Sequence, residues 1–429
     1  MVGSIELDSE GRAVTLRSNQ HRFLRTLTFG VAALGLAAAA GAQSVADLER
    51  RAVTDSPRLA AARERLEAIR QKARSAGVLA DQMLSIEVMD LVPRGGRPAE
   101  TLTMVEQPLP APGKRPAERA LAQAEVAVAE AEFTATERAL RRDVRVAYAE
   151  TWGAQEERKL QSEAHELMEL LVATANALFG GGVDSAVAPF EARVALRRHE
   201  LDQQETDARW LAAQTRLGEL VGARESFLLP RLPEPAEEPY PEFDLAAAAA
   251  TTPEVRVGER SVELAERALE VARLGRRPDW SLGAGSRSMS GEGTELVVGI
   301  GVELPIFRRR RVAPLVAGAE HDLAAARAEL DGACVAARAE LGRLSVERSR
   351  IDGELERLRE GLLPETSAAF EASRAGLTNG GSTIARTADL LAAWIEARID
   401  VARLQAERFS TRSAMLSLLP EPVTAGGDR

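Results

Sequence analysis

Apolar positions along this chain change period twice, and in the same order in each half. From Ala46 to Gly77, and again from Pro253 to Gly275, they recur at helical spacing. Each stretch then gives way to two segments that alternate with period two across a polar, glycine-rich turn. The first pair is Gln82 to Asp90 and Glu100 to Gln107, around Pro93-Arg94-Gly95-Gly96; the second is Trp280 to Ser288 and Thr294 to Leu304, around Ser290-Gly291-Glu292-Gly293. Alternation of this length predicts two β-hairpins whose strands can cross a membrane when tilted. Helical spacing then resumes and persists. Pro116 to Leu178 has one interior glycine, Gly153, and predicts a rod about 95 Å long at 1.5 Å per residue. Val312 to Ser373 matches it, with Pro314 tolerated in its first turn and Pro364 expected to kink its far end. Each rod turns at glycines and returns as a shorter helix, Asp184 to Val221 and Thr383 to Leu419.

The two halves are copies of one unit. Pro57 recurs as Pro253, Pro108 as Pro305 and Gly182 as Gly376, at offsets between 194 and 197 residues. The order of elements predicts an extension and signal peptide at 1–42, a first repeat at 43–222, a proline-rich linker at 223–243, a second repeat at 244–420 and a tail at 421–429. Within the rods, Ala117, Ala120, Ala124, Ala127 and Ala131, and then Ala319, Leu323, Ala326, Leu330, Ala333 and Ala337, follow three-four spacing. Such seams of small residues suit closely approaching helices, although alanine is also simply the best helix former.

Composition narrows the function classes. The 429 residues carry a net charge of -10 with scattered basic groups, which argues against nucleic-acid binding. Cys334 is the single cysteine and there are four separated histidines, so neither a disulfide nor a cysteine-based metal centre is expected, and no cofactor is predicted. Arg22 and Arg25 precede the uncharged Thr26 to Ala40, and Ala40-Gly41-Ala42 offers a cleavage site after Ala42, which predicts export to the cell envelope; a retained anchor is the alternative. Strands left in hydrocarbon with open edges are untenable, because every backbone group there needs a partner. Two hairpins supply four strands, and a closed barrel needs at least eight. Several copies must therefore pool their strands; a trimer gives twelve, continued by a tube of helices.

The duplicated order of helix, hairpin, long helix and short helix resembles the outer-membrane efflux proteins of the channel-tunnel type. So do Gln107-Pro108-Leu109-Pro110-Ala111-Pro112-Gly113-Lys114-Arg115 at the first strand-to-helix junction, Leu304-Pro305-Ile306-Phe307 at the second, and Asp143-Val144-Arg145-Val146-Ala147-Tyr148 in the first rod. The resemblance implies a mainly α protein with a small β part, forming a periplasmic α-barrel on a twelve-stranded β-barrel in a homotrimer. It also implies outer-membrane lipid as surroundings, and a periplasmic adaptor and an inner-membrane pump as partners. The wording of the first junction is most similar to the branch that serves heavy-metal pumps of the resistance-nodulation-division type; drug efflux and type I protein secretion are the alternatives, and a pore-free periplasmic scaffold is the rival from another class.

The resemblance places the periplasmic tip, where an adaptor would dock, at Phe179, Gly182 and Asp184 and at Arg374, Gly376 and Asp389. Ser373 stands where the family has an aromatic. Asp184, Arg374 and Asp389 are equally readable as helix-capping or solvated charges. Pro108, Gly113, Lys114, Arg115, Pro305 and Phe307 mark the two junctions. Gly113-Lys114-Arg115 lacks the upstream glycine and the following hydroxyl of a phosphate loop. Arg308 to Arg311 are either a solvated helix start or an anchor at the membrane surface, and Trp280 and Phe307 stand where interfacial aromatics belong. His165 is not followed by the second histidine of a zinc-protease helix, so no enzyme is predicted.

Overall fold

A computed structural model describes residues 44–89, 100–182, 185–223, 231–289, 293–303 and 306–420. The proposed signal peptide, most of both hairpin turns, Asp184 and Pro305 lie outside them. Helices α1 (Val45–Asp55) and α2 (Pro57–Ser75) lead to strands β1 (Met83–Met89) and β2 (Glu100–Leu109). Helix α3 (Lys114–Gly180) and the returning α4 (Ala188–Leu220) complete the first repeat. The second comprises α5 (Leu245–Ala249), α6 (Pro253–Leu274), β3 (Asp279–Met289), β4 (Gly293–Glu303), α7 (Arg308–Arg357), α8 (Leu363–Gly376) and α9 (Ile384–Leu418).

The expected 46–77 helix is broken in two at Ser56-Pro57, because proline suits the first turn of a helix and not its interior. Thr252 caps α6 at the equivalent place, its side chain accepting from the Val255 amide. α3 is 67 residues long, starting two residues earlier and ending two later than the spacing predicts. α4 begins at Ala188, four residues later than expected. The second rod does depart from the straight α form near Pro364. A five-residue π turn, Leu358–Leu362, comes just before it, and Pro364 falls in the first turn of α8. Proline lacks the amide that the interior of an α-helix requires, and the wider turn absorbs that loss without a break.

The four strands form one antiparallel sheet in the order β1-β2-β3-β4. β2 pairs with β3, Val105 opposite Ala284, and so joins the two repeats. Near the sheet the helices lie side by side as α2, α3, α6 and α7; farther away α4 and α9 flank α3. One ion pair recurs in both repeats with its charges exchanged: Arg70 to Glu130 at 2.8 Å between α2 and α3, and Arg327 to Glu266 at 2.9 Å between α7 and α6. Both alanine seams border α6, from opposite sides. Val316, Ala319 and Leu323 of α7 pack on Leu269 and Ala272. Ala127 and Ala131 of α3 border Pro253 and Arg256.

The linker is more than a spacer. Leu232 and Tyr240 are buried, Tyr148 donates to the Pro233 carbonyl at 2.6 Å, and Gln155 both donates to and accepts from Leu232. Tyr148 also belongs to a hydrophobic core, with Leu48, Val144, Trp152 and Leu217. That core ties α1, α3, α4 and the linker together at mid-height.

Candidate functional site: a membrane sheet, its junction and a helical tip

The strand register sorts side chains onto two faces. Leu84, Ile86 and Val88 share one face with Val105, with Trp280 and Leu282, and with Leu296, Val298, Ile300 and Val302. These side chains are exposed; Leu296 is 82% and Ile300 73% accessible. The opposite face carries Glu87, Glu100, Glu106, Ser281, Arg287, Glu295 and several glycines, together with Met83, Met89, Met104 and Met289. An apolar face exposed beside a polar one is the pattern of strands between lipid and a wet lumen. Among the described residues neither β1 nor β4 has a partner on its outer edge.

The first junction is locked by charge. Lys114 Nζ reaches both carboxylate oxygens of Asp279, at 2.8 and 2.7 Å, and the Ala111 amide donates to the same carboxylate at 2.7 Å. Asp279 opens β3, so this cluster ties the start of α3 to the neighbouring hairpin. Gly113 has φ +96°, and a Cβ there would meet the Arg277 guanidinium, which itself donates to the Pro112 carbonyl. Glycine is required by the left-handed backbone; the arginine, the end of a flexible side chain, could move aside. Arg115 Nε donates to the Gly77 carbonyl at 2.8 Å, and Pro108 sits within β2 opposite Ser281. The second junction is open: Ile306 and Phe307 are exposed, as are Arg309, Arg310 and Arg311, and Arg311 lies 3.9 Å from Glu303. The sequence pattern found Lys114 but not its partner, Asp279, which lies 165 residues away.

At the far end the two helix turns share one core. Leu171, Ala175, Ala188 and Ala192 of the first repeat pack with Phe370, Leu377, Ile384 and Leu391 of the second. Phe179 is half exposed and Gly182 adopts φ +73°. Arg374 pairs with Glu371 at 2.8 Å, and Asp389 is exposed. Gly376 lies against Gly381 and Ser382, where a Cβ would come within 3.2 Å of backbone. Sequence reasoning missed the hydroxyl cluster that fixes this turn: Ser373 Oγ is within 2.5 Å of Ser382 Oγ and 2.8 Å of Thr387 Oγ1. It also missed that Phe370, one turn before Ser373, supplies the buried aromatic, stacked on Trp394 at 5.5 Å. Midway along the helices, Glu157 is buried and takes Arg209 at 3.0 Å and Arg403 at 3.1 Å, joining α3, α4 and α9.

Among the described residues no group of three or more His, Cys, Asp or Glu stands ready for a metal ion, and no helix is long and apolar enough to cross a membrane. A cleft of about 760 Å³ lies beneath the linker and is lined by Trp152, Glu156, Lys159, Arg231 and Arg398.

Sheet, junction and helical tip together define the protomer of a membrane channel continued by a helical tunnel. The chain belongs to the outer membrane efflux protein family, whose sequence model matches residues 48–223 and 245–419, and it is therefore an outer-membrane protein. These are efflux conduits rather than enzymes. Solved structures with the same fold include CusC, at TM-score 0.78 and 15% identity over 87% of this chain and 92% of that one. The outer-membrane channel OprN gives 0.76 and 18% over 87% and 89%, and VceC from Vibrio cholerae 0.72 and 17% over 87% and 95%. No curated protein matches by sequence.

Proposed function

We propose that three copies of this chain form the outer-membrane channel of a tripartite efflux system, passively exporting heavy-metal cations delivered by a periplasmic adaptor and an inner-membrane resistance-nodulation-division pump. The observation that carries the channel reading is a four-stranded sheet, apolar on one face, polar on the other and open at both edges, standing on a helix about 100 Å long. Three such sheets close into twelve strands, which removes the open edges. The helical layer continues into the periplasm, and the tip around Phe179, Gly182, Asp184, Arg374, Gly376 and Asp389 receives the adaptor. Engagement there shifts a closed population toward an open one. For the cargo, four of the chain's seven methionines lie on the lumen-side face among carboxylates, a lining that soft and borderline cations can pass through without strong retention.

The test is growth of a deletion strain, with and without the plasmid-borne gene, across transition metals and hydrophobic drugs. Sensitivity confined to a few metals, restored by the plasmid, is the expected result. Sensitivity to drugs alone overturns the cargo assignment, and protein released from membranes by carbonate without detergent overturns the channel.

A further inference from the structure

The polar face of the sheet brings methionines and a glutamate together at each of its two ends, and the two ends differ in charge. Near the hairpin turns Met89 lies opposite Glu100, which lies opposite Met289. The Glu100 carboxylate is taken by Arg287, which stands on the same face at 2.7 Å. Near the junction with the helices Met83 lies opposite Glu106, and Met104, two residues earlier on β2, shares their face. Glu106 is half-buried, and among the described residues its carboxylate has no ionic or hydrogen-bonding partner.

The neighbouring strands leave space beside Glu106. Gly283 of β3 lies opposite it and Gly299 of β4 lies opposite Gly283; one row nearer the junction Ser281 lies opposite Gly301. The Met104 side chain extends over this glycine floor, where its methyl group would meet a Cβ on Gly283 at 3.1 Å and on Gly299 at 3.4 Å. A Cβ on Gly301 would meet the Ser281 hydroxyl and come within 3.9 Å of Glu106 Oε1. Met104 and Glu106 therefore lean from β2 across the same bare patch, with Ser281 at its border. Met83 is exposed, and an unbranched thioether side chain can turn toward Glu106 from the other side.

We infer that Met83, Met104 and Glu106 form a binding site for a soft monovalent cation such as Cu(I) or Ag(I). Thioether sulfur selects soft ions, and the unpaired carboxylate supplies the charge that favours a cation over a neutral solute. None of the four histidines falls in the strands, so the imidazole ligands that suit Zn(II) and Ni(II) are missing from this face. The inference rests on the metal-cargo reading proposed above and narrows it to soft monovalent ions. All three groups belong to one chain, and they stand where solute leaving the helical tunnel enters the sheet. Binding there is reversible, as a conduit requires.

The experiment uses the full chain in detergent and chloride-free buffer, with Cys334→Ser so that no thiol competes. Ag(I) binding is measured by equilibrium dialysis, alone and against Zn(II). The expected result is saturable Ag(I) binding that Zn(II) does not displace, weakened at least about tenfold by Met83→Leu with Met104→Leu and likewise by Glu106→Gln. Glu106→Gln keeps the side chain's shape and removes no partner, so its effect is read on a folded protein. Met89→Leu with Met289→Leu, at the end neutralised by Arg287, should bind as the parent does. Parent-like binding by the first variants, equal loss in both methionine pairs, or displacement by Zn(II) overturns the site. A deletion strain that is sensitive to Ag(I), with purified variants that bind like the parent, overturns the site and leaves the metal-cargo reading standing. A strain insensitive to every metal, with purified chain that binds Ag(I) through Met83, Met104 and Glu106, supports the site and overturns the cargo reading.

Discussion

Tyr148 and Tyr240 are the only tyrosines in the chain, and burial pushes both phenols up to about 12. A raised phenol pKa leaves stability unchanged below pH about 10, where neither folded nor unfolded tyrosine is ionised. Between about 10 and 12 the unfolded chain loses its protons first, so folding stability falls, by about 2 to 3 kcal/mol for Tyr148. Tyrosinate absorbance near 295 nm should thus stay flat in the native protein until above pH 11, yet rise near pH 10 in denaturant; a native midpoint near 10 would refute the burial of both rings. Glu157 offers a second residue-level test. Glu157→Gln leaves Arg209 and Arg403 without their shared carboxylate, but both guanidinium groups reach solvent. The cost should accordingly be about 1 to 2 kcal/mol rather than the larger penalty of a fully buried charge, measured as a shift in the denaturant midpoint.

Secondary-structure elements in this protein are long, and what distinguishes the two repeats happens at their ends. Ser373 holds the α8-to-α9 turn through two hydroxyl contacts. Ser373→Ala should speed amide exchange across 376–383 by roughly tenfold, equivalent to about 1.4 kcal/mol, while leaving Gly180 and its neighbours unchanged. Equal acceleration at both turns would mean that the tip opens as one unit. The period-two and period-3.6 patterns made the hairpins and rods legible, because hydrophobic periodicity is local. The helix break at Ser56-Pro57 and the π turn before Pro364 follow from prolines that the sequence displays; the aromatic shift from the Ser373 position to Phe370 was harder to read, since it depends on what packs against the segment.

The whole molecule is organised by the two faces of its sheet. Ile300→Lys puts a charge on the apolar face and should lower the amount of assembled protein in the outer membrane, at a cost of about 2 to 4 kcal/mol if the site is near mid-bilayer. Val297→Lys, on the polar face of the same strand, should assemble normally. Quantifying both in isolated outer membranes checks the assignment, and equal loss would reverse or abolish it. At this level the sequence already contained the duplication, the alternation and the small-residue seams, all of which follow from spacing along the chain. It did not contain the pairing of Lys114 with Asp279, the burial of Glu157 among three helices, or which seam faces which helix. Those depend on side chains brought together across separations from 52 to 246 residues, and packing selects among the faces that a local pattern leaves equivalent.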